Sequence, residues 1–293
     1  MRIQHRYLCY HNAHKLVKPL DAAGIKYSLR ERQYAGSDPS VIIEFLLYED
    51  QPDFTAKSAV ARRLGLEPQI GTEYDKKDIA GAEWFWLSTG GSQYPQPEEG
   101  FGYLNASFDL SDYCATCGVG AVQNAPIRLS ADPKPIKYQI LGIEWLLDVV
   151  FVREEAKVLL EKEDVKGIAF MPVVLHRSGK PVEGISQLQI NTVLPQGFNS
   201  TNATQLFCNA HNEENSGKDV TTNYCGRLKN HFPRVGGLRF ERAIFEGQPD
   251  IVLTHEYFGS GASACRLPVV SKKMKLFFES SRFKGLKFTP LFH

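Results

Sequence analysis

The chain has 293 residues, enough for two domains that each bury a core of their own. With 43% hydrophobic and 23% charged residues it cannot be a disordered, collagenous or low-complexity chain. Lys+Arg 34 against Asp+Glu 33 leaves a net charge of +1, so no global field draws it to nucleic acid or to an acidic membrane. Six cysteines are too few for a disulfide scaffold in a chain this long.

The first ninety residues alternate strand and helix patterns. Arg6 to Tyr10 predicts a short strand, and His14 to Ala23 a helix stopped by Gly24 and strained by Pro19. Ile25 to Arg30 and Ser40 to Tyr48 predict two more strands, the second an apolar run fit for a sheet interior. Pro52 opens a second helix that runs to about Leu64, and Ala82 to Leu87, with Trp84-Phe85-Trp86, predicts a fourth strand. The order β-α-β-β-α-β is that of the ferredoxin-like, split-βαβ arrangement. The fold class expected is therefore α+β. A ferredoxin-like domain over 1-92 meets a Gly/Pro-rich connector, and a second α+β domain follows over 103-293.

The second domain carries an internal match. Residues 151-174 and 269-292 align without a gap at an offset of 118, with identities at Val152/Val270, Lys157/Lys275, Glu161/Glu279, Lys166/Lys284, Gly167/Gly285, Phe170/Phe288 and Pro172/Pro290. Ala156, Leu159 and Leu160 correspond to Met274, Phe277 and Phe278, one face of a helix in each copy. Each unit reads as a helix, a Lys-Gly turn and a short strand closed by proline. A duplication packed into a pseudo-symmetric α+β domain is the expectation.

Tyr113-Cys114-Ala115-Thr116-Cys117-Gly118 is a CxxCG knuckle, the turn that offers two thiolates to one zinc ion. Structural zinc takes four ligands, so the others must come from Cys208 and His211, spaced CxxH, or from Cys225. Cys114, Cys117, Cys208 and His211 would complete a Cys3His set, with Cys225 able to replace either of the last two. A knuckle that keeps reduced thiols without metal, and a redox pair, are the alternatives. Cys9 and Cys265 read as buried thiols in apolar surroundings. Such a zinc would be structural, because no H-E-x-x-H occurs and His255-Glu256 has no second histidine at helical spacing.

Phosphate-loop, hydride-transfer and triad signatures are also missing. Gly259-Ser260-Gly261-Ala262-Ser263 lacks the spacing of a nucleophile elbow and reads as a turn. The expectation is a protein without catalytic activity. No apolar stretch of signal-peptide or membrane-span length is present, which predicts a cytoplasmic protein with no membrane partner, and the near-neutral charge predicts no nucleic-acid partner. Charge is unevenly spread: Glu44 to Glu99 carries eleven acids and five bases, whereas Val269 to His293 carries six bases and one acid. An acidic first domain could steer a basic partner.

The knuckle at Cys114 to Gly118, Cys225-Gly226 before Lys229, the stretch Asp250 to Gly261 and the closing Lys284-Gly285-Leu286-Lys287-Phe288-Thr289-Pro290 resemble the double-CxxCG-motif family of bacterial immunity proteins. The resemblance covers roughly Phe108 to the C-terminus. It implies a non-catalytic protein that binds and neutralises a cognate toxin of a polymorphic toxin system. The second knuckle departs from the family pattern, since Thr222 stands where its first cysteine belongs. Cys208 or His211 must then substitute, or the metal is lost. The alternative function is an enzyme or small-ligand-binding protein with its site at the interdomain cleft.

Overall fold

The computed structural model describes residues 1–10, 13–32, 40–92, 103–131, 138–143, 146–209, 224–233 and 235–293. Helices and many strands together make a mixed α+β fold, and the chain divides into two compact units. The first holds Met1–Gly81 with Pro233–Gly237; the second holds Ala82–Phe232 with Leu238–His293.

The first unit runs β1 (Arg2–Cys9), α1 (Ala13–Ala22), β2 (Ser28–Arg32), β3 (Ser40–Tyr48), α2 (Phe54–Arg63), β4 (Gln69–Glu73) and α3 (Lys76–Gly81). Its sheet has the order β2-β3-β1-β4 with every neighbour antiparallel. Alternation in β3 turns Ile43, Phe45 and Leu47 to one face, where they meet Tyr7 of β1, Leu16 and Leu20 of α1 and Ala61 of α2. Tyr7 and Phe45 sit opposite each other and stack at 4.7 Å. Pro19 is accommodated inside α1, which continues to Ala22 before turning at Gly24.

The fourth strand of this sheet is Gln69–Glu73, not the apolar Ala82–Leu87 segment expected from sequence. Gln69-Ile70-Gly71-Thr72-Glu73 is an exposed edge strand with little apolar alternation, so periodicity gave it no signal. The Trp84–Thr89 strand belongs instead to the second unit, whose boundary falls at Gly81/Ala82 rather than at residue 92. The 93–102 connector lies outside the described residues.

The second unit opens with β5 (Trp84–Thr89), β6 (Gly91–Ser92), α4 (Tyr103–Ser107), β7 (Phe108–Asp109), β8 (Val122–Gln123) and β9 (Arg128–Leu129). Then come β10 (Ile140–Ile143), β11 (Leu146–Arg153), α5 (Glu154–Lys162), β12 (Ile168–Leu175) and β13 (Pro181–Ile190). Short strands β14 (Phe198–Asn199), β15 (Gln205–Phe207), β16 (Leu228–Asn230) and β17 (Arg239–Phe240) precede β18 (Ile251–Phe258), β19 (Cys265–Ser271), α6 (Lys272–Ser280) and β20 (Leu286–Pro290). They build two six-stranded sheets, β6-β10-β11-β13-β12-β9 and β15-β16-β18-β19-β5-β20.

The two sheets repeat one register. In the first, Ile140 pairs with Val152, Val152 with Ser186, and Phe170 with Leu188. In the second, Ile251 pairs with Val270, Val270 with Phe85, and Phe288 with Leu87. Helices α5 and α6 start and stop 118 residues apart, and their buried faces, Ala156 with Leu160 and Met274 with Phe278, lie at that same offset. Both helices end on a non-glycine residue in the left-handed region, Asp164 at φ 53° and Arg282 at φ 56°. With each six-stranded sheet taken as one half of the unit, the chain past β13 bridges to the other half through Val193 and Leu253 of β18, and the chain past β5 does so through Gly91 and Gly142 of β10, both parallel. No helix among the described residues is long and apolar enough to cross a membrane.

Candidate metal centre

Four thiols from three separate stretches converge: Cys114, Cys117, Cys208 and Cys225 have all their sulfurs within 4.8 Å of one another. Cys114 and Cys117 flank a tight turn. Its backbone closes through Gly118 N to Cys114 O at 2.7 Å and Cys114 N to Val119 O at 2.9 Å. Gly118 is required there: φ is +79°, and a Cβ would stand 2.2 Å from the Ala262 carbonyl oxygen. Cys208 and Cys225 are joined by Cys208 N to Arg227 O at 2.9 Å and Gly226 N to Cys208 O at 3.1 Å. Arg227 ties this second pair to the knuckle by donating to the carbonyl oxygens of Asp112 and Val119.

The sulfurs stand 3.8 Å apart for Cys114–Cys208 and 3.6 Å apart for Cys117–Cys225. A tetrahedral ion with metal–sulfur bonds of about 2.3 Å requires an edge of about 3.8 Å, whereas a disulfide would require about 2 Å. Two of the sulfur pairs therefore stand near the edge length of a tetrahedral site, and all four sulfurs fall within 4.8 Å. Cys114, Cys117 and Cys208 are buried, and Val119, Tyr224, Tyr257 and Ala264 pack around the cluster. Four sulfur ligands would fill a tetrahedral shell around an ion.

Electrostatics divide the thiols. Burial opposes ionisation of Cys114, but the amides of Cys117 and Thr116 and the neighbouring thiols outweigh it and bring this thiol down to about 6. Burial pushes Cys117 up to about 12 and also raises Cys208. The Cys114 thiolate forms readily, whereas Cys117 and Cys208 hold their protons more tightly and would give them up to a bound cation. Lys229, 4% exposed, lies against this cluster, and its ammonium donates to Cys117 O at 2.9 Å, Ser263 O at 3.1 Å and the Gly261 carbonyl oxygen. Burial lowers its pKa while the thiols of Cys117, Cys208 and Cys114 oppose that.

The structure thus brings four of the five sequence-predicted ligands together. His211 lies outside the described residues, as does Thr222. Of the two other cysteines, Cys265 is buried and pushed up to about 12, chiefly by that burial, and Cys9 packs at the rim of the first unit's core. Sequence reasoning did not single out Lys229 for its charge, and a lone lysine next to a Cys-Gly turn offers no periodic signal. No family model matches the chain, and no curated protein matches it. The resemblance to double-CxxCG proteins rests on its motif residues alone.

Proposed function

We propose that the chain is a non-catalytic immunity protein: a zinc-stapled scaffold that binds and neutralises a cognate toxin protein. The observation that carries the reading is the compact four-thiol cluster, all its sulfurs within 4.8 Å, which brings the chain at residue 114 to the chain at residue 225. Soft thiolates at this spacing select zinc, and a full shell of protein ligands suits a structural rather than a catalytic ion. Four thiolates on a divalent ion leave a net charge of −2, and the buried Lys229 ammonium offsets part of it. Reduced cysteines at these positions accord with a cytoplasmic protein.

Two finer readings of the fold belong to the same proposal. The β4-β1-β3-β2 antiparallel order of the first unit supports a ferredoxin-like domain. The common register and the 118-residue offset support a duplicated second unit, with β5 serving as the closing strand of the second copy. Toxin capture would then use a rigid, pseudo-symmetric surface. Steering by the acidic stretch is weaker than its count suggests, because Asp50 pairs with Arg2, Glu44 with Arg6 and Arg30, and Asp53 with Lys57.

The test is co-expression with the product of the adjacent gene. Rescue of growth from a toxic product, together with a complex on a sizing column, is the expected result. A harmless product that never co-elutes with this chain sinks the reading.

A further inference from the structure

Asp148 and Arg266 stand 118 residues apart, at equivalent places on β11 and β19, and both line one cavity of about 310 Å³ within the second unit. The cavity opens where two strands part. The β11–β13 ladder runs from Arg153↔Ile185 to Val150↔Leu188, and beyond it Asp148 on one side and Gln189 to Asn191 on the other form the walls. The chain then crosses to β18, held by Leu253 N to Thr192 O and Leu194 N to Leu253 O, both 2.8 Å.

Two features mark this as a built site and not a packing gap. Gln123 and Gln187 lock each other by reciprocal amide bonds of 2.7 and 2.6 Å, which fixes one wall. The guanidinium of Arg266 lies over the Tyr257 ring at 4.9 Å, and its Nε is buried with no hydrogen-bond partner. Asp148 is exposed and lines the cavity, although surrounding groups crowd its carboxyl. Among the described residues neither Asp148 nor Arg266 is held in an ion pair, although each feels the other's charge. Burial lifts the Asp148 carboxyl to about 6, against the pull of its own amide and of Arg266.

The position equivalent to Gln187 in the other half carries an aromatic side chain instead. The register sets Trp86 opposite Val269 as it sets Gln187 opposite Phe151, and Trp86 stacks on Phe232 at 4.8 Å. The fold therefore does not oblige a carboxamide on this wall: one half carries an indole at the position where the other carries the Gln187 amide.

We propose that this cavity binds a small zwitterion of the free amino-acid class, its ammonium group on Asp148 and its carboxylate on Arg266. A simple anion would face the Asp148 carboxylate, and a simple cation would face Arg266; only a ligand with both charges meets both walls. The volume lies at the low end for small-molecule sites and excludes a polymer. Gln189 and Asn191 offer donors and acceptors to the ligand's side chain, and Phe108 and Leu253 give it an apolar wall. This site goes beyond toxin binding and does not rest on it.

The test is thermal unfolding of the full chain against the free proteinogenic L-amino acids, followed by calorimetry of those that stabilise it. At least one is expected to raise the melting temperature and to titrate one to one. Its N-acetyl and carboxamide derivatives, each lacking one charge, should bind about tenfold more weakly or worse. Asp148→Asn and Arg266→Gln should each cause a similar loss while keeping the native circular dichroism. The derivatives keep the test valid if either variant fails to fold. Absence of stabilisation by any amino acid, derivatives that bind like their parents, or binding that survives both substitutions overturns the proposal.

Discussion

Gly167 and Gly285, 118 residues apart, hold φ of 85° and 87°, and each presses on the opening of the other half's first strand. A Cβ at Gly167 would stand 2.8 Å from the Ile251 carbonyl oxygen, and one at Gly285 would stand 3.0 Å from that of Ile140. Ile251 begins β18 and Ile140 begins β10. The carbonyl of each glycine also accepts from the residue just past a closing strand: Asn191 N at 2.9 Å for Gly167, and Gly90 N at 2.6 Å for Gly285. The two turns are reciprocal ties, each made by one half to the other.

Replacement of either glycine by alanine should therefore cost more than backbone strain alone. Left-handed backbone costs a non-glycine residue about 1 kcal/mol, and the clash with a carbonyl adds to it, so about 2–3 kcal/mol is expected for Gly167→Ala and for Gly285→Ala. Gly179, at φ +67° with open space where a Cβ would go, is the control and should lose only the strain. Urea unfolding of the three variants measures the difference; equal losses at all three would remove the reciprocal contact from the account.

Metal content provides a second check. Protein prepared without an affinity tag should carry about one equivalent of zinc per chain, and Cys114→Ser or Cys225→Ser should lower that occupancy and the unfolding midpoint together. Chelation should shift the wild-type midpoint toward that of the variants and leave theirs nearly unmoved. Less than about half an equivalent of zinc in the wild type would favour a knuckle that keeps reduced thiols.

Much of this centre was legible in the linear chain, for particular reasons. Cys114 and Cys117 are three residues apart, so one local turn fixes both. Cys208 and Cys225 were recognisable as thiols left over, yet their meeting with the knuckle depended on long-range folding that no spacing encodes. The helix–turn–strand match at offset 118 was legible because helix faces and turn glycines leave identities behind. Its third member was not: Trp84–Thr89 and Ile185–Ile190 share a register but only Leu87 and Leu188 in identity. A strand's partner is set by which edge is free, and Trp84-Phe85-Trp86 would satisfy any buried edge. Hence an apolar segment was assigned to the nearer sheet, while the polar Gln69–Glu73 took that place.

Asp148 should make stability depend on pH in a set direction. Its folded-state carboxyl titrates at about 6 against an ordinary 3.8, so between these values the native state holds more protons than the unfolded chain. Stability must then fall as pH rises through this window, with no penalty below about 3.8 and the full penalty above about 6. Asp148→Asn should stabilise the protein at neutral pH and lose that advantage near pH 4. The gain should stay well under the ~3 kcal/mol that two pH units carry for an enclosed group, since the side chain is open to the cavity. Arg266 works against the shift, and the Cys265 thiol, itself raised partly by Asp148, stays neutral throughout. Urea midpoints of the two proteins at several pH values decide it; a gain that is flat with pH would assign the effect to something other than ionisation.

Lys229 separates a charge role from a packing role. Its ammonium donates to three carbonyl oxygens, Cys117, Gly261 and Ser263, and sits against the thiol cluster in a site that is 4% exposed. Lys229→Met keeps much of the volume but strands those three acceptors, which should cost about 3 kcal/mol or more. If the lysine also offsets the negative charge of a thiolate-bound zinc, the substitution must in addition weaken zinc binding, because the −2 centre then loses a buried cation beside it. The expected result is a larger stability loss in the zinc-loaded protein than in the chelated one, with faster release of zinc to a chromogenic chelator. Equal losses in both forms, with unchanged release, would leave Lys229 as a hydrogen-bonding strut for the carbonyls and assign the charge balance of the centre elsewhere.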